Sequence, residues 1–207
     1  MWYICCYNIT LKNDSILLNK TMNVELQDQI WTIDNFLSND ECEKYVKSIN
    51  EKSQLRPFTI SGKFKNDRYN DGELATSFFE KITKCIDIPI LRSNNLIMTG
   101  KYKPGDAFGS PGLYLPGDAF GLHTDTGLHF DLVKCEKSNY TLLIYLNDNF
   151  EGGKTVFYDN QFQKTIEIEP KKGKALLFDI DLWHKGEEIH KGEKFWIGCE
   201  IISKFRM

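Results

Sequence analysis

Two stretches of the N-terminal half carry patterns that are typical of helices. An apolar segment at 29–37, which we interpret as a strand, is followed by Ser38 and Glu41 in the spacing of a capping box. This pattern predicts a helix that begins there and continues through residue 50. A second helix is predicted because apolar residues recur every four positions: Leu74, Phe78, Ile82 and Ile86.

After Pro89 the pattern changes to short β segments that are separated by turns. The predicted strands are LIMTGKY (96–102), YTLLIYLND (140–148), KTVFYD (154–159), QKTIEIE (163–169), KALLFDI (174–180) and KFWIGCEII (194–202). Gly152-Gly153 and the segment 170–173 are predicted turns. Helices followed by strands indicate an α+β domain in which two helices support an antiparallel barrel or sandwich.

The chain divides into an N-terminal extension without a clear period (1–28) and one domain (29–207). Within the domain, KPGDAFG at 103–109 is repeated as LPGDAFG at 115–121. A single short duplication is not a solenoid, which requires several repeats. We interpret it as a local insertion that lengthens one loop.

Charge and cysteine usage exclude several classes of function. The net charge is −3 and lysines are mixed with acidic residues along the chain, so no basic patch for nucleic acid is visible. The sequence has no apolar run of about 18 residues, so we expect no membrane-spanning segment. The six cysteines form no C-x-x-C pair, which argues against structural zinc and indicates reduced thiols in the cytoplasm.

Two of the four histidines lie in contexts that suit metal binding. His123 and Asp125 are two positions apart, and on a strand both side chains would lie on one face. His184, after the segment 174–180, supplies a third ligand. Two imidazoles and one carboxylate leave three adjacent positions of an octahedron open, as in non-haem iron(II) oxygenases. Taken alone, H-x-D also occurs by chance in surface turns.

Lys194 follows His184 by ten residues and begins a predicted strand. A 2-oxoglutarate co-substrate would chelate iron through its keto-acid end. Its far carboxylate then requires a buried cation, because an unpaired charge in a pocket is costly. Without His184, Lys194 would be interpreted as an ordinary surface lysine.

From about Trp31 to Ile202 the chain resembles the prolyl 4-hydroxylase branch of the Fe(II)/2-oxoglutarate-dependent dioxygenases. The resemblance is carried by these blocks: WTIDNFLSNDECEKYV, NDRYNDGELATSFFEKI, YLPGDAFGLHTD, TLLIYLNDNFEGGKTVFYD and PKKGKALLFD, followed by His184 and Lys194. It implies a double-stranded β-helix (a cupin-like jelly-roll) with supporting N-terminal helices. It also implies a procollagen-proline 4-dioxygenase-like enzyme that hydroxylates peptidyl proline and releases succinate and CO2.

The resemblance implies iron(II) at His123, Asp125 and His184, with Lys194 paired to 2-oxoglutarate. It implies the same co-substrate pocket for a further set of residues: Tyr114, Tyr145 and Thr155. O2 is the second co-substrate and L-ascorbate the expected reductant. The duplication leaves open whether Tyr114 or Tyr102 completes the pocket.

Three alternatives remain at this stage. The first is a hydroxylase whose substrate is not proline, because fold and site do not fix the substrate. The second is a non-catalytic jelly-roll that binds a ligand or partner and retains the metal site. The third is a zinc-dependent hydrolase at the same triad, and the spacing of Lys194 argues against it.

Overall fold

The structure of the protein, a computed structural model, describes residues 7–8, 23–27, 29–51, 65–104 and 118–205. Within these residues it has two helices: α1 (Asn39–Glu51) and α2 (Gly72–Cys85). The strands are β1 (Tyr7–Asn8), β2 (Asn23–Gln27), β3 (Ile30–Ile33), β4 (Lys65–Asn70), β5 (Ile90–Ser93), β6 (Leu96–Tyr102), β7 (Asp118–His123), β8 (Phe130–Asp131), β9 (Glu136–Tyr145), β10 (Glu151–Gly152), β11 (Thr155–Tyr158), β12 (Lys164–Ile168), β13 (Ala175–Asp179), β14 (Trp183–Glu187), β15 (Ile189–Lys191) and β16 (Lys194–Lys204).

Both predicted helices are confirmed, and side chains cap their first turns. The backbone N–H of Ser38 donates to Glu41 Oε2 (2.7 Å), and the Glu41 N–H donates to Ser38 Oγ (3.1 Å), which is the reciprocal capping box. At α2, the Asp71 carboxylate accepts a hydrogen bond from the Leu74 N–H (2.9 Å). These bonds satisfy donors that the first turn of a helix leaves without an intrahelical partner.

The described strands form three antiparallel sheets. The largest has ten strands in the order β1-β2-β3-β13-β9-β16-β6-β4, with β5 and β8 added beside β16 and β9. A four-stranded sheet has the order β12-β11-β14-β7, and β10 pairs with β15. The α+β architecture, two helices with mostly antiparallel strands, is therefore confirmed.

Each face of the large sheet packs in a different core. Alternate residues of a strand point to opposite faces, so Leu177 and Ile197 pack with Phe78 and Ile82 of α2. The opposite face of the large sheet packs on the four-stranded sheet through a smaller cluster: Ile30, Tyr145, Phe157, Ile166, Leu176 and Phe178. The ligand-bearing strands β7 and β14 belong to this second layer.

Several strands lack a usable sequence pattern and were not predicted: β4, β5, β7, β8, β10, β14 and β15. They are short or rich in polar residues, so they show no sustained alternation. Residues 23–27, which lie in the predicted N-terminal extension, form strand β2, and this strand pairs with β3. The division of the chain at residue 28 stays a prediction.

Among the described residues, no helix is long and apolar enough to cross a membrane. The described cysteines are free thiols: Cys42, Cys85, Cys135 and Cys199.

Candidate metal centre

Two adjacent strands bring the histidines together. Strand β14 pairs with β7, and His184 lies directly opposite His123 in this register. The centroids of the two imidazole rings are 4.2 Å apart. His184 is buried against Phe157 and Phe178, whereas His123 is partly exposed. Because the histidines are 61 positions apart in the chain, only the pairing of the strands makes them neighbours.

Asp125 completes the cluster from a position that the sequence did not predict. Strand β7 ends at His123, so the expectation that His123 and Asp125 share one face of a strand was wrong. The Asp125 N–H instead donates to the carbonyl of Ile180 (3.0 Å), which turns the chain after β7 toward β13. Asp125 Oδ1 then lies 3.4 Å from His123 Nε2, and Oδ2 lies 3.8 Å from His184 Nε2.

Hydrogen bonds to the backbone orient both imidazoles. His123 Nδ1 lies 2.7 Å from the carbonyl oxygen of Gly121, and His184 Nδ1 lies 2.9 Å from that of Leu182. Because a carbonyl oxygen only accepts, each Nδ1 carries a proton, and in the neutral imidazole the lone pair is then on Nε2. Metal-binding histidines are usually held by such a contact at the second nitrogen.

The charge states of the cluster suit a metal ion. Burial lowers the pKa of His184 to about 4, so its imidazole is neutral near pH 7. Burial alone would raise the pKa of Asp125, but His184, His123 and a hydrogen bond from Thr141 together lower it to about 2. Ligand atoms of the three residues lie within 4.8 Å of one another. Two imidazoles and one carboxylate are a donor set for a divalent transition metal such as iron or zinc.

The cluster lines a cavity of about 150 Å³, and Lys194 also lines this cavity. Lys194 is the first residue of β16, as predicted, and it is 5% exposed. Its Nζ donates to the carbonyl of Gly153 (2.6 Å) and lies 5.0 Å from the centre of the Tyr145 ring. Gly153 has φ of +72°, and a Cβ there would lie 2.4 Å from Ile189 Cδ1, so the predicted glycine turn is needed for this approach.

Burial has the largest influence on the pKa of Lys194. It lowers the pKa of Lys194 to about 7, while the charges of Glu169 and Glu187 act in the opposite direction. In the part of the chain that the structure describes, Lys194 forms no ion pair with a carboxylate. A buried amine without a counter-ion is costly for the folded protein. The anionic end of a ligand in the cavity would supply the missing charge.

Tyr145 and Thr155 lie beside Lys194. The Tyr145 hydroxyl and Thr155 Oγ1 are 2.7 Å apart, and both residues are buried. Thr155 lines the cavity, and the Tyr145 ring contacts the Lys194 ammonium. Burial raises the pKa of Tyr145, so its hydroxyl remains protonated and can donate. Thr155 therefore lines the cavity, and Tyr145 contacts both Thr155 and Lys194.

Tyr102 lines the cavity wall, whereas Tyr114 lies outside the described residues. Tyr102 is opposite Lys194 in the pairing of β6 with β16. Its ring stacks on Trp196, with centroids 6.5 Å apart and planes 18° apart. Of the two tyrosines considered from the sequence, Tyr102 is therefore the one with a defined position at this site.

Sequence reasoning missed other residues of the site. Thr141 donates to Asp125 Oδ2 (2.6 Å), and Glu187 and Met98 line the cavity. Arg68 also lines it. Thr141 is part of a regular predicted strand, so the only signal available was its polarity at an inward-facing position.

Comparison with known families and proteins agrees with this geometry. Residues 113–199, which include the three candidate ligands and Lys194, match the 2OG-Fe(II) oxygenase superfamily. The chain is 26% identical over 204 residues to Prolyl 4-hydroxylase 1 of Arabidopsis thaliana. The match covers 84% of this chain and 65% of the relative, so the chain spans less than two thirds of that protein.

Solved structures of prolyl hydroxylases share the fold. The viral collagen prolyl hydroxylase of Paramecium Bursaria Chlorella virus-1, solved as a 2OG complex, is 22% identical with a TM-score of 0.54, covering 85% of this chain and 97% of that one. A prolyl hydroxylase of Trichoplax adhaerens, in complex with a hypoxia inducible factor peptide fragment, is 15% identical with a TM-score of 0.55, covering 85% and 84%. The resemblance to prolyl 4-hydroxylase-like 2-oxoglutarate oxygenases is confirmed.

Proposed function

We propose that the protein is an Fe(II)- and 2-oxoglutarate-dependent dioxygenase that hydroxylates a C–H bond of a proline-containing peptide or protein. The observation that carries this proposal is a cavity lined both by the His-Asp-His cluster and by a buried Lys194. A zinc hydrolase needs the triad but has no evident use for the lysine. A dicarboxylate co-substrate would use both the triad and the lysine.

In this proposal Fe(II) is held by His123 Nε2, His184 Nε2 and the Asp125 carboxylate. Bound Fe(II) with 2-oxoglutarate would reduce O2 and supply the oxidant for hydroxylation, with release of succinate and CO2. The backbone carbonyls of Gly121 and Leu182 keep each Nε2 free to bind, because they hold the proton on Nδ1. The low pKa of Asp125 keeps its carboxylate ionised throughout the physiological range.

Lys194 would pair with the far carboxylate of 2-oxoglutarate and remain protonated while the ligand is bound. Tyr145 and Thr155 would hydrogen-bond the same carboxylate, because Thr155 lines the cavity and Tyr145 contacts both Thr155 and Lys194. Tyr102, or Tyr114, would complete the pocket. Apolar side chains of the wall, among them Phe178, would limit the access of water to the reacting groups.

Peptidyl proline is the substrate that the similar proteins suggest. The curated relative and the solved structures named above are prolyl hydroxylases, and one of them holds a peptide fragment. A non-proline substrate remains the second possibility within the same chemistry. We also propose the double-stranded β-helix as the detailed fold, residues 29–207 as the catalytic domain, the cytoplasm as its location and ascorbate as the reductant.

The test is release of succinate from 2-oxoglutarate with Fe(II), ascorbate and a panel of peptides that contain proline or alanine at the same position. Mass spectrometry should detect one added oxygen atom only in proline-containing peptides. Added oxygen in other substrates would favour a non-proline hydroxylase. Absence of Fe(II)-dependent turnover in a folded, metal-loaded protein would favour a binding module. Zinc after anaerobic purification together with hydrolytic activity would favour the hydrolase.

A further inference from the structure

One oxygen of the Asp125 carboxylate already has a partner within the protein. Thr141 Oγ1 donates to Asp125 Oδ2 at 2.6 Å, a distance typical of a strong hydrogen bond from a hydroxyl to a carboxylate. The other oxygen, Oδ1, lies 3.4 Å from His123 Nε2, whereas Oδ2 lies 3.8 Å from His184 Nε2. The two oxygens of Asp125 therefore have different roles before any metal is considered.

Thr141 is rigidly held in the large sheet. It lies in the central strand β9, opposite Phe178 of β13 and Glu200 of β16. Its side chain is 8% exposed, and a β-branched side chain has few χ1 rotamers to choose from. The direction of its hydroxyl is consequently fixed by the sheet and not by the loop that carries Asp125.

The backbone of the Asp125 loop is anchored independently of Thr141. The Asp125 N–H donates to the Ile180 carbonyl (3.0 Å), and the Leu128 N–H donates to Glu200 Oε2 (3.0 Å). Glu200 is itself held by a hydrogen bond from Ser138 Oγ (2.5 Å). Loss of the Thr141 hydroxyl should therefore leave the loop in position and change only the orientation of the carboxylate.

We infer that Thr141 is a positioning residue that makes Asp125 bind the metal through a single oxygen. This inference rests on the proposed function, because it assumes that Asp125 is a metal ligand. A carboxylate with both oxygens free can chelate a cation and occupy two coordination positions. With one lone pair of Oδ2 engaged by Thr141, binding through Oδ1 alone is favoured, and three adjacent positions stay open for co-substrate and O2.

The experiment compares substitutions that remove or keep the hydroxyl. Affinity for Mn(II), a redox-stable probe of the site, is measured by calorimetry for wild type, Thr141→Val and Thr141→Ser. We expect Thr141→Val to weaken Mn(II) binding about 10- to 100-fold, the usual effect of losing a partner of a metal ligand. We expect Thr141→Ser to restore wild-type affinity. The matched control is Thr99→Val, because Thr99 is also a buried threonine in the large sheet but lies outside the cavity lining.

A second readout uses the Mn(II)-loaded protein. If Asp125 chelates the metal in Thr141→Val, fewer positions are open and 2-oxoglutarate affinity at saturating Mn(II) should also fall. Equal Mn(II) affinity in wild type and Thr141→Val would overturn the inference, as would an equal loss in Thr99→Val. If Thr141→Val does not fold, Thr141→Ser is compared with Thr141→Ala, and equal affinities in that pair would overturn it.

The failure of the proposed function would look different. In that case wild type itself would bind neither Mn(II) nor Fe(II), and its melting temperature would not respond to either ion. Metal binding by wild type that is indifferent to the Thr141 hydroxyl would leave the proposed function intact and reject only the role of Thr141.

Discussion

Two parts of the cavity lining, which we call the metal end and the lysine end, stabilise their ionisable groups to different degrees. At the metal end (His123, Asp125 and His184), neighbouring side chains stabilise the Asp125 carboxylate and hold its pKa at about 2. At the lysine end (Lys194, with Tyr145 and Thr155), burial lowers the pKa of the amine to about 7. Its close contacts there are a carbonyl oxygen and an aromatic ring.

This difference indicates that the protein alone stabilises the charged group of the metal end, but not that of the lysine end. The metal end is preorganised, because backbone carbonyls and Thr141 orient all three side chains before a metal binds. The lysine end carries an unfavourable buried amine that an anionic ligand would stabilise. We therefore expect substitutions at the metal end to affect metal binding, and substitutions at the lysine end to affect co-substrate binding without affecting metal.

The largest effect is expected from His184→Ala. It removes a direct ligand, so we expect Mn(II) affinity to fall by more than the roughly 100-fold upper limit for partners of ligands, and Fe(II)-dependent succinate release to be lost. Calorimetry and a succinate assay provide the measurements. His190→Ala is the control, because His190 is exposed on β15 outside the cluster. Turnover by His184→Ala at the wild-type rate would mean that the metal end is wrongly assigned.

Lys194→Met should weaken 2-oxoglutarate binding without making the folded protein less stable. Loss of a charged hydrogen-bonding partner costs about 1.5–3 kcal/mol, so 2-oxoglutarate affinity should fall about 10- to 100-fold while Mn(II) affinity is unchanged. The melting temperature should hold or rise, because an apolar side chain replaces a buried amine that lacks a counter-ion among the described residues. Lys191→Met, at a side chain that is 77% exposed, is the control. Unchanged 2-oxoglutarate affinity would remove Lys194 from the pocket.

The pH dependence of 2-oxoglutarate binding tests the low pKa of Lys194 directly. Above pH 7 the free protein holds a neutral amine that must take up a proton when the carboxylate binds, so affinity should fall by up to about tenfold per pH unit. Calorimetry from pH 6 to 9 measures it. Lys194→Arg stays protonated, so its affinity should be flat over this range. If the 2-oxoglutarate affinity of wild type did not change with pH, the Lys194 amine would be charged even without ligand.

The low pKa of Lys194 also determines whether the free energy of unfolding rises or falls with pH. The unfolded chain keeps the ordinary lysine pKa of 10.5, whereas the folded value is about 7. Between these two values the unfolded state binds more protons than the folded state. The contribution of Lys194 to the free energy of unfolding therefore rises with pH across this window, and denaturant titrations of wild type and Lys194→Met should show the difference.

The smallest effect is expected from Thr155→Val. It removes the partner of the Tyr145 hydroxyl, so we expect 2-oxoglutarate affinity to fall less than about tenfold and stability to fall by about 1–3 kcal/mol. Mn(II) affinity should not change, because Thr155 contacts none of the three ligands in the described structure. Thr99→Val controls for loss of a buried hydroxyl elsewhere in the sheet. A change in Mn(II) affinity would show that the two ends are not independent.

Local patterns in the sequence were sufficient for both helices and for the long strands. The capping box at Ser38 and Glu41 and the four-residue repeat of α2 depend on neighbours within one turn, and both are observed. The first residues of β6 and β16 were also predicted correctly. Strands β7 and β14, which hold the histidines, were missed because they are short and interrupted by glycine and polar residues.

The sequence by itself determined which residues are candidates: His123, Asp125, His184 and Lys194, with Tyr145 and Thr155 beside them. Residue type and spacing decide the first four, because few side chains can bind a metal or pair with a carboxylate, and the family resemblance implies the other two. Only the tertiary structure decided that Asp125 reaches the cluster from beyond the end of β7, and that Thr141 occupies one of its oxygens. These contacts join strands distant along the chain, and no local periodicity encodes the pairing that brings them within hydrogen-bonding distance.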